Sequence, residues 1–141
     1  MSREAYFRQM LGDMRLDLAD YQQLEALLEQ QFCGALSHDT ATLTEAGNKI
    51  VALVGLLDAR RQTRHELAAQ LLGRQRRLSI EEVLAQLPTA PRQTCETLWA
   101  TLCTRVAHCK TLNERNGRLL MAQHDSLERV LFGEKDIYVP L

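Results

Sequence analysis

Apolar residues recur at alternating steps of four and three in the first quarter of the chain. They fall at Phe7, Leu11, Met14, Leu18, Tyr21, Leu28 and Phe32, and only the Glu25 step is polar. That spacing marks one face of an α-helix, close to a coiled-coil seam. It predicts a helix from Arg3 to about Phe32, with Leu24 and Leu27 widening the stripe and Gly34 as its stop. Ser37, Asp39 and Thr40 are N-cap candidates for a second helix. Its stripe is Leu43, Ala46, Ile50, Leu53, Val54 and Leu57, resumed by Leu67 and Leu71 after an arginine-rich break. Gly73 ends it near Leu72. The connector that follows holds one short helix: Ser79 and Glu82 match a capping box, Leu84 and Leu87 anchor it, and Pro88 stops it.

A third long helix is expected from Thr89 or Pro91 to about Phe132, because Pro is tolerated in a first helical turn. Its stripe is Leu98, Leu102, Val106, Cys109, Leu112, Leu119, Gln123, Leu127 and Val130. The long helices should measure about 45, 50 and 60 Å at about 1.5 Å per residue. The expected fold is all-α: an antiparallel bundle of three long helices with one short connecting helix and an irregular C-terminal tail. The bundle forms a single domain over residues 1–132, and Gly133 begins a flexible tail over 133–141.

One stretch, "LNERNGRLL" at Leu112–Leu120, tests this reading, because Asn116-Gly117 is a turn signal. Leu112 and Leu119 lie two helical turns apart, so the apolar phase is the same on both sides. Glu114 and Arg118 also stand in the favourable i,i+4 order. The helix is therefore expected to run through. Gly117 then costs about 1 kcal/mol against Ala, and Asn116, on or beside the stripe, needs a partner. Two explanations present themselves. In one, Gly117 lets a neighbouring helix approach and Asn116 fixes register, as a buried Asn does in coiled coils. In the other, the stretch is a binding surface where Asn113 and Asn116 bond a partner's backbone. Just beyond it, Leu119, Leu120 and Met121 are consecutive and cover about 200° of the helix. Leu127, Val130, Leu131 and Phe132 follow. This arc is wider than one seam requires. The helix end is buried on several sides, or it offers apolar surface to another protein.

Composition narrows the picture. The chain has 141 residues, and its 5% aromatic content leaves an aliphatic core. Seven Gly and three Pro are too few for the turns of an all-β fold. A net charge of −1 gives no global case for nucleic acid or a membrane surface. Locally, Arg60, Arg61, Arg64, Arg74, Arg76 and Arg77 oppose Asp13, Asp17, Asp20, Glu25 and Glu29. They make two solvated faces that attract each other across the bundle, or a basic docking patch over Arg60–Arg77. No aromatic is interleaved with the arginines to stack bases. Cys33, Cys95, Cys103 and Cys109 form no C-x-x-C, and "MSREAYFRQM" has no apolar core of a signal peptide. A cytoplasmic protein with reduced, mostly packing cysteines and no stable membrane insertion is expected.

Catalytic constellations do not emerge. "HELAA" at His65–Ala69 lacks the second zinc ligand of H-E-x-x-H. The "HDS" of His124–Ser126 places triad residue types on different helical faces. Cys103, His108 and Cys109 are scattered in angle as metal ligands. No glycine-rich phosphate loop occurs. No enzyme activity, catalytic residue, metal or cofactor is expected.

The stretch "LNERNGRLL" resembles the L-N-x-x-N-x-x-L-L pattern in the last long helix of the FlgN family, and the "LFG" of Leu131–Gly133 is similar to the Leu-aromatic-Gly that follows it there. FlgN proteins are bacterial export chaperones of the flagellar type III pathway. The motif spans residues 109–138, residues 1–90 match as generic amphipathic helices, and "EKDIYVPL" carries no family feature. The resemblance implies an antiparallel helical bundle that holds the aggregation-prone terminal helices of hook-associated proteins and delivers them to the export gate. It also implies a client site in the C-terminal portion, which falls on the wide apolar arc. The expected client-binding residues are Asn113, Asn116, Gly117, Leu119, Leu120, Gln123, Leu127, Val130 and Leu131. The alternative from a different class is a coiled-coil scaffold of a secretion apparatus that self-associates through the same face.

Overall fold

In the computed structural model the chain forms α1 (Arg3–Leu36), α2 (Thr40–Leu72), α3 (Ile80–Leu84) and α4 (Thr89–Tyr138). The structure describes residues 2–73 and 80–138, without the side chains of residues 71, 72 and 134–138. Local chemistry sets each boundary. Ser2 caps α1, its hydroxyl accepting from the Ala5 N–H at 3.1 Å. Asp39 caps α2, its carboxylate accepting from the Thr42 N–H at 3.1 Å and the Thr42 hydroxyl at 2.7 Å. Gly73, at φ 103°, closes α2 in a conformation that L side chains avoid.

Gly34 does not stop α1, as the sequence led us to expect. The helix passes through it, and the chain reverses at His38, whose φ is 54°. Gly34 is needed for close approach instead: a Cβ there would meet the Thr42 methyl at 3.1 Å. The expected end of the last helix is also corrected, because α4 continues through Gly133 to Tyr138. A single glycine weakens a helix by about 1 kcal/mol without breaking it. Of the tail expected over 133–141, only residues 139–141 lie outside the described residues, as do Ser79 of the capping box and Arg74, Arg76 and Arg77. Val83, Leu84 and Leu87 anchor the α3 segment in the core.

The architecture is the expected helical bundle, arranged up-down-up. α1 is its centre: α2 packs along it antiparallel, α4 parallel, and α2 and α4 each pack on α1 more than on one another. One core joins Tyr6, Met10 and Met14 to Ala68, Val83, Leu84, Cys95 and Leu102. A second joins Leu24, Leu27 and Leu28 to Leu53, Leu57, Cys109 and Leu112. The α1 stripe is therefore centred on Tyr6, Met10 and Met14, with Phe7, Leu11, Leu18 and Tyr21 at its margin. A helix with partners on two sides needs a broader stripe than a single seam, so its centre falls between the two rows.

Between the cores lies a charge. Asp17 is 3% exposed and accepts from Arg60 at 2.6 Å and Arg64 at 2.8 Å, while Asp20 accepts from Arg60 at 3.0 Å. The attraction between acidic α1 and basic α2 is as expected. The solvation is not, because Asp17 faces α2 within the seam. Two guanidinium groups on one carboxylate satisfy its lone pairs, which a buried ion requires.

Candidate client-binding site

α4 is held to α1 by rungs at heptad spacing. The Cys109 thiol donates to the Tyr21 carbonyl at 3.5 Å, the Asn116 amide to the Leu28 carbonyl at 2.8 Å, and the Gln123 amide to the Ala35 carbonyl at 2.9 Å. All three pairs have the same sequence separation of 88 residues, so the two helices run parallel without slipping. Asn116 is the central rung and is 1% exposed. Its amide also reaches Gln31 at 2.8 Å, and its oxygen accepts from Arg115 at 3.1 and 3.2 Å. Arg115 in turn pairs with Glu29 at 3.2 Å and lies 3.7 Å over the Phe32 ring.

These bonds decide between the explanations for "LNERNGRLL". Asn116 and Gln123, both expected to face the client, are committed inside the chain: their amides donate to α1, and Asn116 has no exposed polar atom to offer. Asn116 fixes register. Gly117 does not serve helix approach, since a Cβ there would meet nothing within 4 Å. It is exposed, as is Asn113, while Leu119 and Leu120 are half-buried.

Gln123 is the last rung because α1 ends at Leu36. The α4 stripe does not end there. Leu127 and Val130 continue the phase of Leu112, Asn116, Leu119 and Gln123, and among the described residues no helix covers them. Leu127 is 57% exposed, Val130 61%, Leu131 60% and Phe132 64%. The far part of the apolar arc is thus an exposed surface, and its cause is geometric: the seam outlives its partner. From Gln123 to Tyr138 the helix projects about 22 Å at about 1.5 Å per residue. The expected client-binding residues did not include Met121 and Phe132 of the same arc, nor Leu36, all of which are exposed to a similar degree. Leu36 gave no signal, because Gly34 was taken to end α1 before it.

Elsewhere, charged side chains pair both across helices and along them. Glu25 meets Arg105 and His108, each at 3.2 Å, and His124 meets Glu128 at 3.2 Å. All four cysteines are free; Cys95 and Cys109 pack in the core, whereas Cys33 and Cys103 are exposed and do not. Among the described residues, no helix is long and apolar enough to cross a membrane, and no group of His, Cys, Asp or Glu is placed to hold a metal.

The family model described as FlgN protein matches residues 7–132, nearly the whole bundle including the projecting seam as far as Phe132. The chain belongs to the FlgN family. FlgN proteins are flagellar export chaperones, which bind flagellar proteins and are not enzymes. No curated protein and no solved structure matches the chain. The match extends the likeness from one motif to all three long helices.

Proposed function

We propose that this FlgN protein is a cytoplasmic chaperone for hook-associated proteins and delivers them to the type III export gate. The observation that supports it is the apolar seam of α4, left uncovered beyond the end of α1. A polymerising subunit carries amphipathic terminal helices that must stay apart from other copies until export. The row Leu127, Val130 and Leu131 presents the half-seam that such a helix needs. Burying each of these side chains contributes about 1.5–3 kcal/mol, which is set against the cost of association, so the remainder of the interface must add to it. In this reading Leu119 and Leu120 extend the seat, Asn113 bonds the client backbone at its edge, and Gly117 leaves room for it. Asn116 and Gln123 act indirectly, by holding α4 in register so that the seat projects clear of α1.

The test is to mix purified protein with a hook-associated protein on a sizing column. Co-elution as a defined complex is expected, with the client kept from polymerising. Elution of the FlgN protein as a larger assembly by itself, with the client separate, would favour a self-associating scaffold instead.

A further inference from the structure

A second surface lies about 25 Å back along α4 from Leu127, at about 1.5 Å per residue, and owes nothing to the client seat. Because α2 and α4 both pack on α1 rather than on each other, a groove of about 550 Å³ opens between them. Asp17 and Tyr21 of α1 form its floor, and Ile80 and Val83 close one end. Ala68, Trp99, Leu102 and Val106 make its walls apolar. Its place relative to α1, α2 and α4 is the one a fourth helix takes in a four-helix bundle.

Its charge says what would fit. The one lining carboxylate among the described residues, Asp17, is already answered by Arg60 and Arg64. Arg61, His65 and Lys110 remain on the rim. Arg61 is shared with Asp58 at 2.9 Å, but both side chains are more than half exposed, and such a pair is worth at most about 1 kcal/mol. Glu81 acts on the groove at the α3 end, where it helps burial to raise the Cys103 pKa. Arg61 and Arg64 stand within electrostatic reach of Tyr21 in the floor. We propose that this groove seats an acidic amphipathic helix of a partner protein, its apolar face on Trp99, Leu102 and Val106 and its carboxylates on Arg61 and Lys110. The surface gives the chaperone a second contact while the α4 tip is occupied.

The groove contains its own reporters. Trp99 is the only tryptophan, and Cys103 is an exposed thiol in the lining. Two synthetic helical peptides, of about four turns at about 3.6 residues per turn, share one leucine stripe and carry either Glu or Lys beside it. The Glu peptide should shift Trp99 emission saturably and slow Cys103 alkylation about tenfold, leaving the exposed Cys33 unchanged. Its affinity should fall about tenfold between low and high salt. The Arg61→Glu and Lys110→Glu double variant alters exposed positions, should keep its helicity by circular dichroism, and should prefer the Lys peptide. Equal binding of both peptides, no saturable response, or an unchanged preference in the folded variant would overturn the proposal. So would concentration-dependent protection of Cys103 in the protein alone, which would assign the groove to a second copy of the chain.

Discussion

Asn116 and Gly117 are neighbours with opposite relations to the fold. Asn116 donates to the Leu28 carbonyl and Gln31, so Asn116→Ala removes the central rung and leaves a void beside Arg115. Losing a buried, fully bonded amide costs about 1–3 kcal/mol. A melting temperature lower by several degrees is expected, and an unchanged one would show that register is held elsewhere. Gly117→Ala should do the reverse. With nothing within 4 Å of the new methyl, it should stabilise the helix by up to about 1 kcal/mol. If that more stable variant also binds client less well, the glycine is there for the partner's approach. The sequence made half of this legible. The preserved phase of Leu112 and Leu119 showed that the helix continues, and the position of Asn116 showed that it needs a partner. The partner itself was not legible, because Leu28 and Gln31 are 88 and 85 residues away and only the packed register brings them near.

Helix boundaries and faces follow the same division. Asp39 was readable as a cap because capping is local, and Gly34 was misread because its task is contact with Thr42 across the turn. The Thr42 hydroxyl, and then its backbone N–H, hold the Asp39 carboxyl below the usual carboxylate range. A lowered folded pKa means stability present above the unfolded value and lost as pH falls through the folded one. Asp39→Ala should therefore melt lower than the parent at neutral pH, with the gap closing in acid. A gap independent of pH would contradict the carboxylate's role. Asp17 belongs to the other class. Attraction between the acidic and basic helices could be read from composition, but burial of one carboxylate between two arginines depends on how α1 divides its surface between α2 and α4. Removing one member of a buried cluster costs about 3–5 kcal/mol, and Asp17→Ala should fall near the lower bound because Arg60 and Arg64 keep 19% and 11% of their side chains exposed. Urea denaturation measures this, and a loss under about 1 kcal/mol would show the cluster to be dispensable.

At the scale of the whole molecule, the consequential fact is a mismatch of length. α1 has 34 residues and α4 has 50, and the two run parallel in one register. The excess carries the same apolar stripe into solvent. The sequence showed the stripe and its width but not where cover ends, since that depends on the turn at His38 and on the rungs that fix α4 against α1. The direct test is the double variant Leu127→Asp with Leu131→Asp, measured by circular dichroism and by calorimetric titration with a hook-associated protein on the same preparation. Both side chains are exposed, so helicity and melting temperature should match the parent. Two leucines at about 1.5–3 kcal/mol each should weaken client binding by about 100-fold or more. A folded variant that binds with the parent's affinity would contradict a client seat on the uncovered seam, and so would a variant that loses its helicity, because these leucines would then be core.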